Sequence, residues 1–380
     1  MINSLGRGGA EKALIDILKN IDYGKFKIFL IVVRHERGYE DQVPKQVKTF
    51  TMFGDHNNHT VNRIEWSFAY RLIKYAPQLV YRYLRGKYKV LMESDLLVSF
   101  LEGPSTKMVS YFDKPKIAWM HTDYLKNHWV SNFFKSKLEE RDCYNNFNKI
   151  VFVSNQGRKS FNSFFDNEVT APKEVIYNPI DTNSIKSLSL SRDPFFEDWI
   201  QRNEKKVRLV SVGRLNPVKQ FPWLLKLQKH LEDNGVNTSL TIIGEGREQK
   251  NLDRIIKNKQ IDNVELLGFK NNPYPYVKNS DLYLAPSRAE SYPLSIAEAF
   301  VLGIPVLATR NSGSRELSRD GEFALLSAMD VKDFISKADE LCISTEKRQY
   351  WKLMANKGAN TFSMYKVITK IENLFESTLN

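Results

Sequence analysis

The stretch Asp281-Leu282-Tyr283-Leu284-Ala285-Pro286-Ser287-Arg288-Ala289-Glu290-Ser291-Tyr292-Pro293-Leu294-Ser295-Ile296-Ala297-Glu298-Ala299-Phe300 reads as three consecutive pieces. Asp281–Ala285 is a short apolar run suited to a buried strand, Pro286–Pro293 a polar loop, and Leu294–Leu302 a helix that Gly303 can cap. Pro305 then opens the next strand candidate. In open parallel sheets, ligands bind at the carboxyl ends of strands, where a helix start offers free N–H groups and partial positive charge to an anion. Glu298 lies one turn into the helix, about 6 Å along its axis. Glu290 lies four residues before it, up to roughly 13 Å away if extended. Two carboxylates so placed can flank a diphosphate, one reading sugar hydroxyls and the other ribose hydroxyls.

The same alternation runs outward in both directions. Val207–Val212, Ser239–Ile243, Val264–Leu267, Pro305–Ala308 and Phe323–Leu326 read as strands, with helices over Phe221–Asp233 and Arg247–Asn258. That gives about six βα units, a complete doubly wound domain. Towards the N-terminus the strand candidates are Phe26–Val33, Leu96–Leu101, Lys116–Met120, Lys149–Ser154 and Glu174–Tyr177. Helices are expected over Ala10–Asn20, Val130–Cys143 and Asn155–Phe164. The two halves meet near Asn178-Pro179-Ile180-Asp181, followed by a polar linker and a short helix at Phe195–Arg202. The division is residues 1–183, 184–364, and a last helix over 365–380. Gly8-Gly9-Ala10-Glu11 is a glycine turn into a helix, yet almost no chain precedes it to form the strand such a turn follows. Either the start codon lies upstream of Met1 or the first domain lacks its central strand.

Three further strand ends carry polar chemistry. Gly213-Arg214-Leu215-Asn216-Pro217-Val218-Lys219 sets two cations beside one strand terminus, as a diphosphate leaving group requires. Gly244-Glu245-Gly246 is a strand–glycine–helix junction, and Leu267-Gly268 ends a strand where backbone groups can read a nucleobase.

The whole chain of 380 residues carries a net charge of +12, which asks for an anionic partner. Arg63, Arg71, Lys74, Arg82, Arg85, Lys87 and Lys89 cluster against the single acid Glu65, interleaved with Trp66, Phe68, Tyr70, Tyr75, Tyr81, Tyr83 and Tyr88. Pro77 divides this stretch into two helices. Basic residues with interfacial aromatics over 63–89 suit an anionic membrane surface. No organised reader motif for nucleic acid is present, so nucleic acid is not expected as a partner. The longest apolar run, Ile28–Val33, falls far short of the roughly 20 residues that span a bilayer. No signal peptide is legible, so the expected location is cytoplasmic, peripheral on the inner face of the cell membrane. Cys143 and Cys342 stand alone and are expected to be reduced, structural thiols.

Gly8-Gly9-Ala10-Glu11, Gly213-Arg214 with Lys219, Gly244-Glu245-Gly246, Leu267-Gly268, and Glu290 with Glu298 together resemble the retaining glycosyltransferases of family 4, of the kind that build bacterial capsules, exopolysaccharides and other cell-surface glycans. The resemblance runs over nearly the whole chain. It implies a GT-B fold, two Rossmann-like doubly wound domains facing across a cleft, the first binding the acceptor and the second a nucleotide-sugar donor. The last helix would pack back on the first domain. By this resemblance Arg214 and Lys219 hold the donor phosphates, Glu290 contacts the donor sugar and Glu298 the ribose. Backbone amides at Leu294 and Ser295 meet the diphosphate, and Gly8 and Gly9 approach it from the other domain. Gly244 and Gly268 belong to the same donor site, and His121 at a strand end lines the reaction centre. Ser291-Tyr292-Pro293 departs from the commoner Gly-Phe-Gly loop, and Asn311-Ser312-Gly313-Ser314-Arg315-Glu316 is a loose version of a Gly-Gly-x-x-Glu junction.

The expected reaction is hexosyl transfer with retention from a nucleotide sugar, UDP-sugar favoured, to a growing glycan acceptor, with a polyprenyl-diphosphate-linked acceptor suited to the basic stretch. No Asp-x-Asp motif occurs, so no metal and no cofactor is expected. Two alternatives share the fold: a nucleotide-sugar 2-epimerase, which needs no acceptor, and a non-catalytic GT-B subunit supporting a partner transferase.

Overall fold

The structure is a computed structural model and describes residues 1–36, 38–54 and 59–379. Residue 380, the end of the expected last helix, lies outside the described residues. The chain divides into two compact units. One comprises Met1–Pro179 and the chain from Tyr365 onward, the other Ile180–Met364.

In the first unit the strands are β1 (Phe29–Arg34), β2 (Lys48–Phe53), β3 (Leu97–Ser99), β4 (Lys116–Met120), β5 (Lys149–Phe152) and β6 (Lys173–Val175). β1 pairs with β2, and β3 to β6 pair in sequence order, all parallel. The two pieces are joined by the first residues of the chain. Ile2 donates to Ile31 O (2.9 Å) and accepts from Val33 N (2.9 Å), while Phe100 N donates to Met1 O (2.8 Å). Almost no strand was expected ahead of Gly8 and Gly9, and that position is held by one isolated bridge, Ile2 to Val32. Met1–Asn3 fills that position between β1 and β3, too short to count as a full strand but fully integrated, with Ile2 0% exposed. The glycine turn at Gly8 and Gly9 therefore follows a strand segment after all, and leads into the helix Gly9–Asn20.

Two further differences have local causes. The strand β2 went unanticipated although Thr49-Phe50-Thr51-Met52 within it alternates polar and apolar residues as a half-buried strand should. The helix expected over Val130–Cys143 is instead a 3₁₀ turn at Trp129–Phe133 followed by the helix Lys137–Asn145. Ser136 restarts the helix by accepting the Glu139 N–H (3.1 Å), a capping arrangement written in the sequence as Ser-x-x-Glu.

The second unit holds β7 (Val207–Val212), β8 (Thr238–Ile243), β9 (Val264–Leu266), β10 (Leu282–Ala285), β11 (Val306–Thr309) and β12 (Leu325–Ser327). Their spatial order is β12-β11-β10-β7-β8-β9, all parallel. This is a doubly wound sheet whose order reverses between β7 and β10. Connections from β7 run one way across the sheet and those from β10 the other, so a crevice opens at their carboxyl ends. Leu209, Leu240, Leu282, Leu284 and Leu307 are sealed beneath the helices Pro222–Asp233 and Val331–Ile343, and form the core with Phe334 and Leu341. Cys143 and Cys342 are free thiols, each buried in its own unit and pushed up to about 12 by desolvation. Among the described residues no helix is long and apolar enough to cross a membrane.

The final helix, Met364–Leu379, packs on the first unit. Phe375 meets Phe26 edge-on at 5.8 Å, Glu372 accepts the Asp22 N–H (3.0 Å) and Ser377 Oγ accepts from Lys149 (2.6 Å). Ile371 is 0% exposed whereas Tyr365 is 80% exposed. Ile371→Ala is therefore expected to cost about 2–5 kcal/mol in urea unfolding, and Tyr365→Ala to stay within about 0.5 kcal/mol.

Candidate active site

The switch point of the second unit is tied together by backbone contacts. Gly213 N donates to Ile243 O (2.9 Å) and Gly244 N to Gly268 O (2.9 Å), so the ends of β7, β8 and β9 continue the sheet into their loops. Gly244, at φ +148°, lies so close to the loop after β7 that a Cβ there would sit 1.9 Å from the Gly213 carbonyl oxygen. Gly246, at φ +153°, is pressed in the same way against Leu215 O, at 2.3 Å. Glycine is required at both positions for space as well as for conformation.

From this base the polar side chains are placed. Asn216 accepts the Lys219 N–H through Oδ1 (3.2 Å) and closes the 3₁₀ turn Pro217–Lys219. Gln220 follows in the left-handed region at φ 51°, a conformation that disfavours a side chain. The turn is latched to the loop after β10, where Arg288 N donates to Val218 O (2.8 Å). Across that latch Lys219 Nζ meets Glu290 Oε1 at 2.6 Å, with the two side chains 21% and 18% exposed. Arg214 is exposed earlier in the same loop after β7.

A small pocket opens here, lined by Ser211 and Val212 of β7, Tyr283 of β10, and Lys219, Glu290 and Ser295. Tyr283 anchors its floor, donating to Val212 O (3.1 Å) and accepting from Val212 N (3.3 Å). Burial raises its phenol well above the usual range, against the Ser295 hydrogen bond, so it stays a neutral donor. The helix Leu294–Val301 starts at Pro293, and the amides of Leu294 and Ser295 are among the first-turn donors without an intrahelical acceptor. Glu298 is buried at 8% exposure and accepts from the Tyr274 hydroxyl (3.1 Å). The structure thus gathers Lys219, Glu290, Ser295 and the helix start around one pocket. Arg214, Gly244 and Gly268 lie on adjoining strand-end loops, and Glu298 sits inward against Tyr274.

Gly8, Gly9 and His121 belong to the first unit. His121 follows β4, and its N–H donates to Glu102 Oε2 (2.8 Å). Glu102 is 0% exposed, and burial raises its carboxyl above the ordinary range. Burial also pushes His121 down to about 3, offset in part by a hydrogen bond with the Phe100 carbonyl. Its Nε2 is buried with no hydrogen-bond partner among the described residues. The imidazole is thus held neutral and cannot act as a resident cation.

Sequence reasoning did not single out Tyr274, Tyr283 or Glu102. Tyr274 and Tyr283 are ordinary residues of a helix and a strand and Glu102 of a turn, and only its partner gives each a role. Gly313 had a signal, its place in the Asn311–Glu316 junction. A Cβ there would lie 2.7 Å from Glu290 O, so it brings the helix Ser312–Leu317 against the Glu290 loop.

Residues 194–357 match the family described as glycosyl transferases group 1. Over 96% of this chain and 95% of the relative, the sequence is 26% identical to the N-acetylgalactosamine-N,N'-diacetylbacillosaminyl-diphospho-undecaprenol 4-alpha-N-acetylgalactosaminyltransferase of Campylobacter jejuni. It is 28% identical to the UDP-Gal:alpha-D-GlcNAc-diphosphoundecaprenol alpha-1,3-galactosyltransferase of Escherichia coli, over 43% of this chain and 44% of that one. Among solved structures, Anabaena HepE in complex with UDP superposes with a TM-score of 0.72 at 18% identity over 99% of both chains. WaaG, a glycosyltransferase involved in lipopolysaccharide biosynthesis, superposes with a TM-score of 0.71 at 14% identity over 98% of both. The fold is GT-B, and the chain is a glycosyltransferase. The unit Ile180–Met364 carries its group 1 sequence.

In the unfolded chain His121 takes a proton near its ordinary value of 6.5, whereas in the folded protein it does so only near 3. Its contribution to stability is therefore fully present above pH 6.5 and is lost as pH falls towards 3. His121→Gln is expected to make unfolding less acid-sensitive in that window. Imidazole NMR shifts of the wild type should report a neutral ring at about pH 5; a protonated ring there would contradict the burial argument.

Proposed function

We propose that the chain transfers a hexosyl group with retention from a nucleotide sugar, UDP-sugar favoured, to a lipid-linked glycan acceptor, in the manner of family 4. The observation that carries this reading is the pocket at the β7/β10 switch point, where Lys219, Glu290 and the start of the helix Leu294–Val301 converge. A diphosphate is the ligand those groups suit. Arg214 and Lys219 take its charge, and the amides of Leu294 and Ser295 its oxygens. Lys219 then exchanges Glu290 for phosphate, which frees Glu290 to accept hydrogen bonds from the sugar. Glu298 takes the ribose, and Gly244 and Gly268 leave room for the nucleotide. The bond from the anomeric carbon to the diphosphate breaks as the acceptor oxygen attacks from the same face. The acceptor proton passes to the leaving phosphate. No metal and no cofactor is assigned a part. The UDP in the HepE structure supports the choice of nucleotide, and the diphospho-undecaprenol substrates named for the two relatives support the choice of acceptor.

Arg214→Ala is expected to lower turnover of a UDP-sugar by about a hundredfold or more with folding intact. Near-normal rates would remove the donor assignment. Omitting the acceptor from the same assay separates transfer from 2-epimerisation, which would change the donor alone.

The helices His59–Tyr75 and Pro77–Lys87 support a membrane-facing acceptor site. Ile64, Phe68 and Tyr75 are exposed at 66%, 64% and 61%, and recur with exposed Arg71 at spacings of three and four along one helix side. Ala69 and Ile73 on the other side are buried, and Leu79 and Tyr83 continue the exposed apolar surface beside Arg82, Arg85 and Lys87. An anionic surface attracts each such cation by about 1 kcal/mol. Neutralising Arg82, Arg85, Lys87 and Lys89 together is expected to weaken co-sedimentation with phosphatidylglycerol vesicles at least about tenfold. Unchanged binding would place the membrane contact elsewhere.

A further inference from the structure

Ser314 lies in the first turn of the helix Ser312–Leu317, and that turn is fastened to the loop carrying Glu290. Gly313 N donates to Glu290 O (2.9 Å), and Ser312 Oγ donates to the same carbonyl (3.2 Å). Asn311 completes the fastening. Its Oδ1 accepts the Ser314 N–H (2.9 Å), and its Nδ2 donates to Ser287 O (2.9 Å). The Ser314 carbonyl accepts from Ser318 Oγ (2.6 Å).

Both backbone groups of Ser314 are thus matched. The hydroxyl is not. Ser314 is 1% exposed, and its Oγ has no hydrogen-bond partner among the described residues. Two other buried serines nearby do not share this condition: Ser211 Oγ donates to Leu284 O (2.6 Å), and Ser318 is matched as above. Buried hydroxyls in folded proteins nearly always find a partner. Ser314 lines the same pocket as Glu290, Lys219 and Ser295, so the missing partner can come from what enters that pocket.

We propose that Ser314 is a specificity-determining residue of the donor site, its hydroxyl held beside Glu290 to hydrogen-bond a polar substituent of the donor sugar ring. This rests on the donor-site reading above. The sugar reaches Ser314 and the nucleotide does not, so the residue separates sugar nucleotides from bare nucleotide. A site built to bond a polar substituent also rejects the analogue that lacks it, because its own buried group is then left unpaired.

The test is calorimetric binding of UDP, UDP-glucose, UDP-N-acetylglucosamine and UDP-N-acetylgalactosamine to the wild type and to Ser314→Ala and Ser314→Cys. Both variants keep a small side chain in the same space. The expected result is that Ser314→Ala weakens the preferred sugar nucleotide by about fivefold or more and leaves UDP within about twofold. Ser314→Cys, a weaker donor, should fall between. Equal losses for UDP and the sugar nucleotide would make Ser314 merely structural. No loss for either would mean that water alone serves the hydroxyl, and each of these outcomes overturns the proposal. If wild type fails to bind UDP itself, the donor-site reading falls, and this inference with it.

Discussion

The carbonyl of Gly213 occupies the space that any side chain at position 244 would need. That close approach of two backbones, repeated between Leu215 and Gly246, brings the loop after β8 down onto the loop after β7. Much of the site hangs from it. With β8 seated there, the turn at Pro217–Lys219 is directed towards the neighbouring strand β10, where the sheet order reverses. The latch from Arg288 to Val218 then fixes the Glu290 loop to the lysine turn. A third close approach sets Gly313 against Glu290. Glycines at these contacts act as spacers: they let main chain touch main chain, so that the side chains between them are held on rigid elements.

Charge in the site follows from that packing. Lys219 and Glu290 are both largely buried, and neither would be stable there alone. Their contact pairs the two opposite charges in the pocket lining, while Arg214, earlier in the loop after β7, is exposed. The first unit uses burial in the opposite sense. His121 and Glu102 are both driven towards their neutral forms, so the end of β4 offers hydrogen-bonding groups without fixed charge.

In the first unit the segment between β1 and β3 is held by single contacts. Ile2 contributes one pair of ladder hydrogen bonds to β1, and Met1 accepts one from Phe100 beside β3. Burying the isoleucine side chain contributes about 1.5–3 kcal/mol, and Ile2 is 0% exposed. The apolar stripe through Ile64, Phe68 and Tyr75 has the reverse character, a helix side with large apolar residues left more than half exposed.

The sequence by itself determined the alternation of strands and helices, the doubly wound class and the chemistry at the strand ends. Buried parallel strands need apolar runs, and their loops need glycine and polar residues, whatever the neighbours are. Boundaries at Lys116–Met120, Val207–Val212 and Asn155–Phe164 were legible for that reason. Tertiary structure alone decided which strand ends adjoin, and so which polar residues meet. Lys219 and Glu290 are 71 residues apart, and no local pattern pairs them. It also decided the roles of Tyr274, Tyr283, Glu102 and Ser314, whose side chains resemble many others in the chain until burial sets what each can bond. Local periodicity records which face of an element is buried. It carries no record of the partner across the interface, because that partner is fixed by the order of strands in the sheet.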